Sequence, residues 1–374
     1  MKVKAALLHQ PGKDWVVEEI DLGDPIAGEV QVRLTATGLC HSDEHFRTSG
    51  GAGQLPLLGG HEGAGVVTKV GPGVFGLAEG DHVVLAFIPA CGVCPPCSRG
   101  LQNLCDEGAK LMTGTAISDG GHRASLHGQP VTPMCLLGSF APYVTVHQAS
   151  VVKIDDDIPL ELAALLGCGV STGWGSATAI GNVREGDTAV VVGVGGVGIN
   201  AVQGAAAAGA GHVIAIDPVA FKRDTAMEFG ATHVFASMAD AIAPVTELTW
   251  GRMATTVILT VGHLTGDMIA PALALTGKGG QTVVVSLGDP AAMDAQVSMV
   301  DLTLMQKRIQ GAIFGGSSPR TQIPHLVRQY RAGRLKLAEL ITNSYRLEDV
   351  NLGYRDMLDG KNIRGIIRFT DEDY

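Results

Sequence analysis

Cys91, Cys94, Cys97 and Cys105 share one short stretch, spaced C-x2-C-x2-C-x7-C. Four thiolates at such close intervals can close a tetrahedral shell round Zn²⁺ with no open position, the arrangement of a structural site. Four unrelated cysteines and a redox pair are the competing readings; a redox pair needs only two members, and a thioredoxin-like setting is absent. A catalytic zinc needs three protein ligands and one open position, and Cys40, His61 and Cys168 are candidates for it. Each stands in a glycine-flanked stretch, Gly38-Leu39-Cys40-His41-Ser42-Asp43-Glu44-His45, Gly60-His61-Glu62-Gly63 and Gly167-Cys168-Gly169. Spacing alone does not decide among them, since each taken singly is as readily a core cysteine or a satisfied histidine.

A second kind of chemistry is offered by Gly193-Val194-Gly195-Gly196-Val197-Gly198, set between an apolar run at 188–192 and an alanine-rich stretch at 199–208. These glycines read as a strand turning tightly into a helix, with backbone N–H groups aimed at a pyrophosphate. The hexamer alone is a weak signal, because glycine-rich turns are common. Its surroundings strengthen it. A second apolar run ends on Asp217, nineteen positions past Gly198, where an acid accepts hydrogen bonds from an adenosine ribose. A carboxylate there favours NAD over NADP by repelling a 2′-phosphate, while nearby Lys222 and Arg223 argue the other way.

The elements that must carry these residues fall into two kinds. Up to about residue 150, short β-rich runs at 29–36, 65–70, 82–88 and 143–147 are broken by glycine, which suggests a barrel-like or irregular β domain. The polar stretch 107–138 lacks periodicity and reads as a long loop that lines or covers a site. Asp155-Asp156-Asp157-Ile158-Pro159 reads as the start of a helix running through 160–166. From 188 onward, apolar runs at 189–192, 213–216, 256–260 and 282–287 alternate with helix-like segments, the βαβ pattern of a doubly wound parallel sheet at about 170–312. A helix at 321–332 and a strand at 365–370 then return to the first domain.

A chain of 374 residues, 46% apolar and 17% charged, has material for two cores, and no apolar run reaches the roughly 18 residues needed to span a bilayer. The apolar stretch near Met1 is too short for a signal peptide, so the expected location is the cytoplasm. A net charge of −10 disfavours nucleic acid and anionic membrane as partners, because both need clustered Lys and Arg. Seven cysteines, four of them bunched, point to metal rather than to a disulfide framework.

Gly60-His61-Glu62-x2-Gly65-x5-Gly71-x2-Val74 resembles the signature of zinc-containing medium-chain alcohol dehydrogenases. The four-cysteine cluster, Gly167-Cys168-Gly169-Val170-Ser171-Thr172-Gly173 and the glycine turn follow in that family's order, so the resemblance covers nearly the whole chain. It implies an α/β fold with a GroES-like β-rich catalytic domain at 1–169 and 313–374 and a Rossmann NAD-binding domain at 170–312. It also implies two zincs, with Cys40, His61 and Cys168 on the catalytic one, Glu62 close behind and Asp43 orienting His61. The zinc lowers the pKa of a bound alcohol, which then yields hydride to the nicotinamide. The resemblance further implies a proton relay through Ser42 to His45, whose ordinary pKa of about 6.5 suits release to water. Lys222 lies along the adenosine ribose, His41 and Arg364 meet the pyrophosphate, Thr172 packs on the nicotinamide and Phe87 lines the substrate cleft. Without a family counterpart, Ser42 reads as a helix cap, and Lys222 and Arg364 as surface charges.

Asn103-Leu104-Cys105-Asp106, Met134-Cys135-Leu136-Leu137-Gly138 and Gly173-Trp174-Gly175-Ser176 resemble the actinobacterial nicotinoprotein subgroup. In that subgroup NAD stays bound and is reoxidised in place by an external carrier, such as a nitrosoaniline dye. The expected substrate is a small alcohol or aldehyde, and the expected assembly a homo-oligomer, dimer or tetramer. Cys135 is left to packing. Two alternatives stand beside this reading, a thiol-dependent formaldehyde dehydrogenase of the same superfamily and a non-catalytic dinucleotide-binding or redox-sensing protein.

Overall fold

The structure, a computed structural model, describes residues 1–49 and 54–374. The chain divides into two compact units, Met1–Cys168 with Ser318–Tyr374, and Gly169–Ser317.

Among the described residues, five strands of the first unit close a barrel: Lys2–Leu8, Val16–Leu22, Ala124–Leu126, Gln129–Pro133 and Leu57–Leu58. Beside it runs a seven-stranded sheet centred on Glu29–Gly38. That strand pairs with Gly63–Val70 along one edge. Along the other edge it takes Tyr143–His147 beside its first half and Arg364–Arg368 beside its second. The returning tail thus supplies an interior strand of the sheet. Leu7, Leu8, Ile20, Leu34, Leu85 and Phe140 fill the core, with Trp15 edge-on to Phe140 at a centroid distance of 5.6 Å.

The stretch 107–138, read above as one long loop, is not one. It holds the hairpin Ala124–Leu126 and Gln129–Pro133, joined through His127 and Gly128 at φ 51° and 78°. Two consecutive left-handed residues make the turn that matches strand twist, but strands this short leave no alternation to read. The acids at 155–157 do not cap the following helix either: Pro159 is its cap residue, while Asp155 and Asp157 pair with Arg331.

In the second unit, six parallel strands stand in the order His233–Phe235, His212–Ile216, Thr188–Val192, Ala254–Leu259, Thr276–Val284, Arg308–Gly311 among the described residues. This is the doubly wound order, which reverses beside Thr188–Val192. Every residue of that strand is buried, as its Ala189-Val190-Val191-Val192 apolar run requires of a strand covered on both faces. The strand expected at 282–287 instead begins at Thr276, ahead of an irregularity opposite Ala254 and Thr256 where glycines break the apolar pattern. The helix Gly198–Ala207 follows the central strand and buries residues from Gly198 to Ala205.

Candidate active site and metal centres

Strand Glu29–Gly38 delivers Cys40 at its end, immediately before helix His41–Ser49. Gly60, at φ 86°, turns the chain so that His61 follows it inward; a Cβ there would press on Phe140 and stand 2.6 Å from Ser139 Oγ. Cys168 closes the first unit. The structure brings one ligand atom each from Cys40, His61, Glu62 and Cys168 within 4.8 Å of one another, all buried. Asp43 joins two of these residues: its Oδ2 accepts the Cys40 backbone N–H at 3.0 Å and its Oδ1 lies 2.8 Å from His61 Nδ1. Nε2 of His61 is buried with no hydrogen-bond partner. An imidazole oriented through one nitrogen, with the other bare beside two sulfurs, fits a metal ion with soft ligands.

These groups also shift one another's protonation. A hydrogen bond with Cys168 and the charge of His61 hold the Cys40 thiol well below its ordinary range against burial. The same pairing, together with burial, holds Cys168 well above it. Burial opposes protonation of His61, but Asp43 and then Cys40 outweigh it and hold the ring well above the ordinary histidine range. Behind the sulfurs, Glu62 pairs with Arg364, 302 positions along the chain. Burial pushes the Glu62 carboxyl up to about 7 despite that guanidinium. Glu62 Oε1 and Arg364 Nε have no partner.

At the second cluster, Cys91 Sγ lies 3.9 Å from Cys97 Sγ and Cys94 Sγ 3.8 Å from Cys105 Sγ. A tetrahedron of sulfurs about 2.3 Å from a central zinc has edges of about 3.8 Å, so the spacing suits that ion; a disulfide needs about 2.05 Å. Backbone N–H groups of Cys91, Cys94 and Asp106 donate to Cys105, Cys91 and Cys94 sulfurs at 3.4–3.5 Å. Against burial, such donors bring Cys94 down to about 7, while burial pushes Cys105 up to about 12.

In the second unit the glycine turn is held from several sides. Gly193 has φ 85°, and a Cβ on Gly198 would run into the Gly193 carbonyl with Thr260 Oγ1 only 2.7 Å away. Thr260 donates to the carbonyls of Gly193 and Val192 at 2.7 and 3.1 Å. Asp217 is buried at the end of His212–Ile216, and its Oδ2 accepts the Val194 N–H at 3.0 Å. Around Gly195 nothing lies within 4 Å of where a Cβ would stand. Gly196 and Val197 complete the turn, and Gly196 O accepts from Asn200 Nδ2.

Of the other expected residues, Ser42 Oγ stands 3.7 Å from Cys40 Sγ, and His45 follows on the same helix, both half-buried. Phe87 sets its ring edge-on to His61 at 5.7 Å between centroids. Thr172 Oγ1 is buried with no partner. Arg364 is buried rather than at the surface, whereas Lys222 and His41 are half-buried. Cys135 is buried, and its thiol is pushed up to about 11 by that burial, in keeping with packing. Sequence reasoning passed over Thr260 altogether, and nothing about a threonine at a strand end marks it as the residue that closes the turn.

Residues 26–156 match the model of the alcohol dehydrogenase GroES-like domain and residues 196–330 that of the zinc-binding dehydrogenase family. The chain is 51% identical over 374 residues to alcohol dehydrogenase B of Mycobacterium tuberculosis, covering 100% of both. It is 51% identical to the NDMA-dependent alcohol dehydrogenase of Amycolatopsis methanolica, covering 98% of this chain and 99% of that one. Among solved structures, an alcohol dehydrogenase zinc-binding domain protein from Burkholderia ambifaria superposes with a TM-score of 0.92 at 34% identity, covering 99% of each chain.

Proposed function

Since the chain belongs to the zinc-containing medium-chain alcohol dehydrogenases, we propose that it oxidises a small alcohol, or reduces the aldehyde, with two zincs and an NAD that stays bound between turnovers. Cys40, His61 and Cys168 would hold the reacting zinc, and Cys91, Cys94, Cys97 and Cys105 the structural one. When bound, the zinc supplies Lewis acidity at the alcohol oxygen and the nicotinamide supplies the hydride acceptor. The observation that carries the reading is the bare, buried Nε2 of His61 beside two cysteine sulfurs.

The chain's own residues do the rest. Asp43 fixes the tautomer and direction of His61 and ties down the Cys40 backbone, so two ligands are placed by one carboxylate. Ser42 Oγ, beside Cys40, would accept the hydroxyl proton of the substrate while handing its own proton on, and His45, three positions on along the helix, would release a proton to water. Glu62 and Arg364, paired with each other, set the charge beside the sulfurs. Phe87 walls the substrate side of His61. Gly193, Gly195, Gly196, Val197 and Gly198 would cradle the pyrophosphate, Asp217 and Lys222 would face the adenosine ribose, and the unpartnered Thr172 hydroxyl would face the nicotinamide.

Retention of NAD and reoxidation by an external carrier are supported by the likeness to an NDMA-dependent enzyme. Assembly into a dimer or tetramer is supported by the free edge of Arg308–Gly311, where Leu304, Ile309 and Ile313 are exposed. No helix among the described residues is long and apolar enough to cross a membrane. The test is alcohol oxidation with NDMA as acceptor and no added NAD. Turnover that survives exhaustive dialysis is expected; turnover that appears only when NAD is supplied would overturn the retained cofactor, and none under either condition would overturn the dehydrogenase.

A further inference from the structure

The Asp217 carboxylate has two partners within the protein. Oδ1 accepts the Val219 N–H at 2.9 Å, closing a turn of its own, and Oδ2 accepts the Val194 N–H at 3.0 Å from across the sheet end. The side chain is buried, so these bonds face no competition from water. Its backbone is fixed as well. The Asp217 N–H donates to Phe235 O at 3.1 Å, and Arg223 Nη1 donates to Asp217 O and Pro218 O at 2.7 and 2.9 Å. Next door, Gly193 N–H donates to Ile216 O at 2.7 Å, so the first turn residue is tied to the same strand end. An ionised carboxylate has about four lone-pair sites, and two remain for ribose hydroxyls.

We propose that Asp217 is a positioning residue for the glycine turn: its carboxylate clamps Val194 and so holds the pyrophosphate cradle in shape while it takes the adenosine ribose. This rests on the reading of the second unit as the NAD-binding one. Two consequences follow. Adenosine and pyrophosphate recognition share one side chain, so neither can be altered alone at this position. Replacing the acid by a small residue to admit a 2′-phosphate would slacken the cradle at the same time. Arg223, whose guanidinium is engaged with two carbonyls, is not poised to take that phosphate instead.

Asparagine separates the two roles. Its single carbonyl oxygen can keep the short-range bond from Val219, but its NH₂ would then face the Val194 N–H, donor against donor. Hydrogen exchange on the full chain as purified is expected to show Val194 exchanging at least tenfold faster in Asp217→Asn, with Val219 little changed, and both faster in Asp217→Ala. Unchanged exchange at Val194 in both variants would overturn the clamp whether or not the protein binds NAD. A second readout distinguishes clamping from ribose contact. If Asp217 touches only the ribose, Asp217→Asn weakens adenosine and ADP by the same factor. With the clamp, ADP loses at least a further tenfold, and an unchanged ratio of the two affinities would contradict it. Retained zinc and an unaltered circular dichroism spectrum show that the variants remain folded.

Discussion

Asp43 Oδ1 lies 2.8 Å from His61 Nδ1, with both side chains excluded from water. That one distance connects the helix His41–Ser49 to the loop that follows Gly60, and it leaves a buried histidine with one oriented nitrogen and one, Nε2, without a hydrogen-bond partner. Losing such an orienting carboxylate typically weakens metal binding 10- to 100-fold. Asp43→Ala is therefore expected to lower zinc affinity at the Cys40 site by about that range, while the four-cysteine site keeps its metal. Zinc titration against a chelator of known affinity checks this, and equal weakening at both sites would show a general loss of fold.

The four-cysteine lobe makes a separate prediction. Cys105 is buried and its sulfur lies 3.8 Å from that of Cys94, so Cys105→Ser removes one corner of the sulfur tetrahedron. Because structural zinc binding is folding free energy, the variant is expected to unfold roughly 10 °C or more below the parent. Calorimetry with and without added zinc measures it; an unshifted Tm would mean that the lobe is held without metal.

Gly198 and Gly195 are expected to differ when changed to alanine. At Gly198 a Cβ meets the Gly193 carbonyl, so the turn must open and stability falls. Gly195 has open space in the same position, so Gly195→Ala should fold with stability within about 0.5 kcal/mol of the parent. Yet that space is where the pyrophosphate approaches in the present account, so bound NAD should fall at least tenfold. Urea unfolding and the nucleotide content of the purified variant read the two effects independently. Full NAD content in Gly195→Ala would place the cofactor elsewhere.

His147 gives a pH dependence. Burial holds its imidazole below the ordinary histidine pKa, and Nδ1 accepts the Ala149 N–H at 3.1 Å, which requires that nitrogen to be unprotonated. The unfolded chain therefore binds the proton more readily than the folded one. The stability from a neutral His147 is present above an unfolded pKa of about 6.5 and is lost as pH falls through the lowered folded value. In His147→Gln the fall of the urea midpoint from pH 7.5 to 5 should be shallower than in the parent. A parallel fall would assign the acid sensitivity to other groups.

How much of this was readable beforehand depended on how local each signal is. The Thr188–Val192 strand, the glycine turn and Asp217 were legible because a buried parallel strand and its turn are written in consecutive residues. The hairpin at Ala124–Pro133 was not, because strands of three and five residues show no period. The candidate ligands could be named only through several motifs in fixed order, since a single Gly-His-Glu or Gly-Cys-Gly says little. The pairing of Glu62 with Arg364 joins residues 302 positions apart, and no pattern in either neighbourhood announces it. Asp217 stands out in the sequence as a candidate acid for a ribose, but its bond to Val194 does not, since that bond depends on how two strand ends meet.

The proposed function combines a resident NAD with a zinc held by Cys40, His61 and Cys168. It is tested most directly by denaturing protein purified without added metal or nucleotide and counting what is released, for the parent and for Cys168→Ser. The account expects two zincs and one NAD per chain from the parent, and one zinc with alcohol turnover abolished in the variant. It is contradicted if the parent releases no NAD, or if Cys168→Ser keeps two zincs and full activity.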